Sequence, residues 1–435
     1  MRIAIIGFGL EGKAAYRYYK NKGEITVCDL NPVDVPEGVY MQSGPNYLAD
    51  LPRFDVIVRS PSIKPSDIVS AAGRDILARL TSNTNEFLRV SPTQNIIGVT
   101  GTKGKGTTSS LIAKILDSMG KRVLLGGNIG VPALDLLSQD VQPDDWVVLE
   151  LSSYQLIDCK YSPHIAVCLM VEPEHQDWHN DVDEYYNAKT NLFRHQSAVD
   201  IAIYYALNES ASRIASTSKG FKIPFMDEPG ALVRDGQFSI GDQVICSVDE
   251  LKLLGQHNWQ NIAAAITVAW QVEQNREAIK KAVTNFTGLP YRLELRADKD
   301  GIRYYNDSFS SAPPASIAAI EAIPGNKIIV IGGYDRNLPL ENLAAAIKQK
   351  DQEVRRIILI GQSSQRVANA LDAVGFDGYT LLGNKNMDEI VKTAKSLAQP
   401  GDAIVLSPGF PSFDMFKNFT DRGDQFNQAL ENYEL

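Results

Sequence analysis

The stretch Ile96-Ile97-Gly98-Val99-Thr100-Gly101-Thr102-Lys103-Gly104-Lys105-Gly106-Thr107-Thr108 decides the fold. An apolar run of strand character enters a glycine-rich turn and leaves it as the helix-patterned segment Thr108–Met119. A turn of this kind between a strand and a helix is where a phosphate loop lies. Glycines let backbone N–H groups approach phosphate oxygens, the helix N-terminus adds positive dipole, and a lysine reaches the β- and γ-phosphates. Gly101, Thr102, Gly104, Lys105, Gly106, Thr107 and Thr108 are therefore the expected nucleotide cradle. The spacing departs from the standard one. Val99 stands five residues before Gly104, and Gly106 follows Lys105 where Ser or Thr is usual, which makes Thr107 the candidate hydroxyl for Mg2+.

Outward from this loop, strand and helix signals alternate in both directions. Apolar runs at Ile3–Ile6, Glu24–Cys28 and Asp55–Val58 precede it; Arg122–Leu125, Trp146–Glu150, Ile165–Val171 and Ile201–Tyr205 follow. Gly220–Leu251 is rich in turn residues and reads as locally β-rich, and Asn261–Val272 as an alanine-rich helix. Three more strand starts, Lys327–Ile331, Arg356–Ile360 and Ala403–Leu406, are followed by glycine or by Ser-Pro-Gly. This rhythm predicts βαβ units and parallel sheets. The polar stretch Ser91–Asn95 and Gly288-Leu289-Pro290 read as boundaries. The expected class is α/β in three domains: a Rossmann-like domain over 1–92, a central P-loop mononucleotide-binding domain over 93–289, and a second Rossmann-like domain over 290–435. A chain of 435 residues suits that count at about 100–200 residues per domain.

Composition narrows the function classes. With 44% hydrophobic and 22% charged residues, this is an ordinary globular chain, not a disordered or fibrous one. A net charge of −9 leaves no basic surplus for nucleic acid, so anionic ligands must be held locally by loop amides and a few Lys and Arg. The four cysteines show no CxxC spacing and read as free thiols of a reducing cytosol. The run Met1–Gly7 is too short for a signal segment, and no apolar run reaches membrane-spanning length. A cytoplasmic protein with neither membrane nor nucleic-acid partner is expected.

Four further features carry chemistry. Glu150 ends a strand, where an NTPase places its Mg2+ carboxylate. Glu172-Pro173-Glu174-His175-Gln176-Asp177-Trp178-His179 gathers carboxylates and imidazoles without any HExxH or Cys/His zinc spacing; taken alone it reads equally as a surface loop. Lys189, fourteen residues after His175, is by itself an ordinary solvated charge. Gly7, Gly9 and Gly12, with Asp29 twenty residues after Gly9, match a dinucleotide fingerprint. That pattern fits NAD, another nucleotide diphosphate, or a tight turn closing helix against sheet.

The ordered series of motifs resembles the Mur ligases along nearly the whole chain. It comprises Gly7–Gly12, Arg59-Ser60-Pro61-Ser62-Ile63, the phosphate loop, Gly126-Gly127-Asn128-Ile129-Gly130 and Leu149–Leu156. It continues through His175, Ala188-Lys189, Gly255–Asn261, Leu289–Glu294, Asn306-Asp307-Ser308, Gly332-Gly333 and Ser407 to Phe419. The N-terminal uridine-nucleotide domain and the Ser412-Phe413-Asp414-Met415-Phe416-Lys417-Asn418 run point to the branch that adds glutamate.

The resemblance implies ATP-dependent amide formation between UDP-N-acetylmuramoyl-L-alanine (UDP-MurNAc-L-Ala) and D-glutamate, through an acyl phosphate and a tetrahedral intermediate, by a monomer. It also implies residue roles. Lys105 and Thr107, with Glu150, would serve the phosphates and a first Mg2+; His175 would bind a second Mg2+; Lys189 matches the lysine that the family carbamylates. Asn258, Asn261, Arg292 and Asp307 match nucleotide-contacting positions. Leu10, Glu11 and Asp29 match the uridine-diphosphate pocket, Asn128 and Ser152 other substrate contacts, and Arg336, Ser412 and Phe419 the glutamate region. This chain departs from the family pattern in several places. Phe309 and Arg336 stand where Lys is usual, Tyr291 for His, Met170 for Asn, Glu174 for Asp and Lys103 for Asn; Lys103 could restore the charge lost at Phe309. An arginine keeps the charge but not the geometry of a lysine. Three other readings compete. A folylpolyglutamate-synthase-like ligase shares Gly104-Lys105-Gly106-Thr107 but lacks a uridine domain; an NAD oxidoreductase would rest on Gly7–Gly12 alone, and a non-catalytic nucleotide-binding regulator would leave Glu150, His175 and Lys189 idle.

Overall fold

A computed structural model describes residues 1–432. Its first sheet contains β1 (Arg2–Ile6), β2 (Glu24–Asp29), β3 (Tyr40–Ser43), β4 (Val56–Arg59) and β5 (Leu80–Thr81) in the order β3-β2-β1-β4-β5. Every pairing is parallel. Alternation along β1 sends Ala4 and Ile6 into one apolar cluster and Ile3 and Ile5 into the other, so both faces are covered. The chain runs outward from β1 on one side and then on the other. The Gly7–Gly12 turn therefore sits at the point where strand order reverses, the usual ligand position in such sheets.

The second sheet holds β6 (Ile96–Thr100), β7 (Val123–Gly127), β8 (Trp146–Glu150), β9 (Ile165–Cys168), β10 (Ile201–Tyr205) and β11 (Phe221–Phe225). Their order is β11-β10-β9-β6-β8-β7, again all parallel. Here β6 is the reversal point, and the glycine-rich loop leaves its C-terminal end. The β-rich expectation for Gly220–Leu251 resolves into β11 and an antiparallel meander of β12 (Leu232–Arg234), β13 (Gln237–Ile240) and β14 (Gln243–Ser247).

The third large sheet comprises β15 (Glu294–Lys299), β16 (Ile302–Asn306), β17 (Lys327–Gly332), β18 (Val354–Ile360), β19 (Tyr379–Gly383) and β20 (Ala403–Leu406), ordered β15-β16-β20-β17-β18-β19. Only β15 is antiparallel to its neighbour. Ile329 and Ile331 face one cluster, Ile328 and Val330 the other.

The chain divides into two compact units: Met1–Leu251 with Trp259–Asn285, and Lys252–Asn258 with the chain from Phe286 onward. Within the first unit, the first two sheets are joined through buried polar contacts. The Arg59 guanidinium, fully buried at the end of β4, meets Asp158 at 2.6 and 3.0 Å and donates to the carbonyls of Ser60, Pro61, Ile63 and Tyr154. Phe87, on helix Asn83–Val90, packs into the core of the second sheet. Among the described residues, no helix is long and apolar enough to cross a membrane.

Candidate active site

The helix after the glycine-rich loop starts at Lys105, earlier than the sequence pattern suggests, and runs to Ser118. Gly104 makes the early start possible. It adopts φ 84°, which strains any residue with a Cβ, and a Cβ there would lie 2.2 Å from Asn261 Oδ1, so the Asn261 side chain would have to shift. Lys105, Gly106 and Thr107 thereby form the first helical turn, whose N–H groups lack intrahelical partners and suit an anion. The rest of the loop is pinned from the side. Thr102 N donates to Met170 O at 2.8 Å, and its hydroxyl meets Tyr185 Oη at 2.8 Å and both backbone groups of Glu172. Thr108 Oγ1 reaches Asn261 Oδ1 at 3.4 Å. Lys103 is exposed on this loop.

Two lysines converge on the loop. Lys105 Nζ donates to the carbonyls of Gly101 (3.1 Å) and Thr102 (2.9 Å), and Lys189 Nζ donates to the same Gly101 carbonyl at 2.9 Å. Lys189 projects from helix Val182–Arg194, is almost wholly buried, and holds its ammonium 4.5 Å from the Tyr185 ring centroid. Burial, aided by the charge of Lys105, lowers its pKa to about 7. A large fraction of this amine is therefore neutral near physiological pH. Tyr185 was not singled out in the sequence, because its role arises from a contact to a loop 83 residues away.

Beside the loop, Glu150 ends β8 opposite Val99 and is buried. Asn128 Nδ2 donates to Glu150 Oε1 at 2.7 Å, and Asn128 N to Glu150 O at 2.8 Å, so two expected site residues form one pair. His175, at φ 58°, lies 3.4 Å from Glu174 through Nε2, its ring packed 5.0 Å from Tyr154. Among the described residues no three His, Cys, Asp or Glu side chains converge as a ready cation cage. The donor set still suits Mg2+, which usually takes one or two carboxylates and completes its octahedron with water and phosphate oxygens.

In the first sheet, Asp29 accepts Phe8 N at 3.0 Å and Asn31 N at 3.1 Å, bracing the glycine turn, while Leu10 is exposed. A Cβ on Gly12 would lie 2.0 Å from Gly7 O, so helix Leu10–Tyr19 can approach β1 only through glycine. Glu11 accepts from Asn83 Nδ2 and from Gln155 Nε2. Burial pushes its carboxyl above the usual range. Ser152 caps helix Ser153–Leu156 in a capping box with Gln155, a partner that the Ser-x-x-Gln spacing signals.

The second unit contains the remaining expected residues. Asn258 opens helix Asn258–Val272 and donates to Leu254 O at 2.7 Å. Asp307 is buried, accepting Leu293 N at 3.0 Å and Ser407 Oγ at 2.7 Å, and burial raises its carboxyl to about 7. The Arg292 guanidinium lies 3.8 Å over the Phe309 ring, and Phe309 packs edge-on against Phe419 at 5.0 Å. Phe309 thus supplies a stacking face for Arg292 in place of a charge. Ser412 is buried, while Arg336 is exposed on the segment after β17.

Comparison with known proteins agrees with this architecture. The family model for the Mur ligase middle domain matches residues 99–269, and that for the Mur ligase glutamate ligase domain matches residues 291–410. A Clostridium acetobutylicum protein named UDP-N-acetylmuramoylalanine–D-glutamate ligase is 33% identical over 99% of this chain and 96% of its own length. Its namesake in Clostridium novyi is 32% identical, with the same coverage. Among solved structures, the MurF ligase of Thermotoga maritima in complex with ADP superposes with a TM-score of 0.59 at 15% identity, over 99% of this chain and 95% of that one. The reversal-point loops, the buried lysine and end-to-end likeness to these relatives lead to one conclusion: the chain belongs to the Mur ligase family.

Proposed function

We propose that this protein joins D-glutamate to UDP-MurNAc-L-Ala with consumption of ATP, in the synthesis of peptidoglycan precursors. The observation that carries the reading is the pair Lys105 and Lys189 on the Gly101 carbonyl, at the reversal point of the central sheet. A P-loop alone would suit any nucleotide hydrolase. A buried, half-neutral second lysine beside it suits the carbamate that the Mur ligase resemblance implies. The full-length likeness to relatives named as D-glutamate ligases supports the choice of substrates.

A carboxylate is a poor electrophile, so amide formation at neutral pH needs a better leaving group. In this reading the alanyl carboxylate attacks the γ-phosphoryl group, forming an acyl phosphate and releasing ADP. The amine of D-glutamate then adds to the carbonyl, and the tetrahedral intermediate expels phosphate and a proton. The protein contributes chiefly position and charge neutralisation. Lys105 and the first-turn amides hold the phosphates, with Gly101, Thr102, Gly104, Gly106 and Thr108 shaping the loop. Asn258, Asn261, Arg292 and Asp307 contact the nucleotide. Thr107 and Glu150 would hold one Mg2+, and His175 with a carbamylated Lys189 would hold a second. The neutral Lys189 amine takes up CO2 and releases a proton, becoming an anionic oxygen ligand in place of a repelling ammonium. Bound Mg2+ supplies neutralisation of the phosphate charge. Leu10, Asp29, Asn128 and Ser152 face the uridine substrate, and Arg336, Ser412 and Phe419 the incoming glutamate. The working form is a cytoplasmic monomer of three functional domains, 1–92, 93–289 and 290–435.

Phosphate release over a panel of amino acids tests the reading. Release should require both UDP-MurNAc-L-Ala and D-glutamate. Silence with D-glutamate but turnover with another acceptor would transfer the protein to a sister activity.

A further inference from the structure

Glu11 occupies the first turn of helix Leu10–Tyr19, directly after the glycine turn of the first sheet. Both its carboxylate oxygens are engaged by protein side chains. Oε1 accepts Gln155 Nε2 at 3.0 Å, and Oε2 accepts Asn83 Nδ2, which also donates to Glu11 O at 2.9 Å. A bare carboxylate beside a diphosphate would repel it, so a direct side-chain contact from Glu11 is a poor use of this residue.

Gln155 is buried and continues the path. Its Oε1 accepts Ser152 N at 3.0 Å and Ser152 Oγ at 3.2 Å. Ser152 follows Glu150 and Leu151 at the end of β8. Leu151 in turn bonds to the phosphate-loop strand, with Leu151 N donating to Val99 O and Thr100 Oγ1 to Leu151 O, both at 2.9 Å. A path of hydrogen bonds, completed by the Leu151–Ser152 peptide link, thus runs from the helix at the first glycine turn to the strand that carries the phosphate loop. Nothing in the chain's local sequence demands it, since Glu11 and Gln155 are 144 residues apart.

We infer that Glu11 and Gln155 are positioning residues for the uridine substrate: through Ser152, they hold the glycine turn that anchors its nucleotide end in register with the strand end where its carboxylate reacts. The inference rests on the function proposed above and sharpens it. The substrate is long and bears its anchor and its reacting group at opposite ends. Fixing the distance between two loops turns binding energy at one end into alignment at the other.

A swap of the two side chains tests this. In Gln155→Glu, two carboxylates face one another and the path breaks. In the double variant Glu11→Gln/Gln155→Glu, the amide introduced at position 11 donates to the carboxylate introduced at position 155. That carboxylate still accepts both Ser152 donors, and the new amide's oxygen still accepts Asn83. For Gln155→Glu, kcat/KM for UDP-MurNAc-L-Ala should fall about tenfold or more while KM for ATP holds, and the swap should recover to within about threefold. Glu11→Gln alone should lose about threefold to tenfold and serves if Gln155→Glu does not fold. Wild-type rates in both single variants, or a swap no better than Gln155→Glu, would overturn the inference. So would losses spread equally over ATP, D-glutamate and the nucleotide, which mark a merely structural pair. A wild-type enzyme that turns over none of these substrates overturns the functional reading as well, so the two failures are distinguishable.

Discussion

In the proposed function, Lys189 distinguishes this site from a plain nucleotide-binding loop, and its environment gives the proposed carbamate a physical basis. Burial next to Lys105 disfavours its ammonium, leaving an amine able to react with CO2 near neutrality. Replacing Lys189 with Ala should abolish phosphate release, and short carboxylate anions in the buffer should partly restore it by standing in for the lost oxygen ligand. Full activity of the unsupplemented variant would exclude the carbamate role. Asp307 shows the opposite response to burial. Its carboxyl is raised to about 7, so between pH ~4 and about 7 the folded protein retains a proton that the unfolded chain releases. The stability this contributes is present at low pH and is lost as pH rises through about 7. Melting curves of wild type and Asp307→Asn should therefore diverge with pH, wild type losing ground relative to the variant from pH 5 to pH 8. Parallel curves would contradict the assignment. Neither shift is visible in the sequence, where Lys189 by itself reads as an ordinary solvated charge and Asp307 only as a nucleotide-contacting position that the resemblance implies.

The phosphate loop and its helix are the element where sequence was most informative. Glycine spacing located the turn, and the apolar run Ile96–Thr100 is β6 residue for residue. The helix starts at Lys105 and not at Thr108, because the left-handed Gly104 and its closeness to Asn261 set the first turn. Gly104→Ala should accordingly leave the sheet folded but raise the ATP dissociation constant about tenfold or more, since a non-glycine residue at φ 84° costs about 1–2 kcal/mol before the clash with Asn261 is counted. Isothermal titration with ATP, alongside a thermal melt, checks both halves. An affinity equal to wild type would mean that the loop relaxes without loss. The short strands Tyr40–Ser43 and Leu80–Thr81 lay beyond reach of the pattern, being too brief and too polar to show period-2 alternation.

At the scale of the molecule, the first unit is held by a fully buried guanidinium. Arg59 and Asp158 connect the end of β4 to the segment after helix Ser153–Leu156. Removing only the acid strands the cation, so Asp158→Ala should destabilise the first unit by about 3–5 kcal/mol, read as a lower urea midpoint. An unchanged midpoint would mean that the four carbonyl acceptors alone satisfy the guanidinium. The net charge of −9 also acquires a meaning at this scale. In an acidic chain, positive charge for an anionic ligand must be supplied locally, and Lys105 at the glycine-rich loop is such a charge. What the sequence by itself determined was local: the strand–turn–helix rhythm, the position of the phosphate loop, and which residues could carry phosphate chemistry. These are encoded in periodicity and glycine spacing, which act over a few residues. Only the tertiary structure decided which strands neighbour β6, that Lys189 reaches Gly101 across 88 residues, and that Glu11 meets Gln155. Those outcomes depend on burial and on polar groups finding partners far along the chain, and no local pattern carries that information.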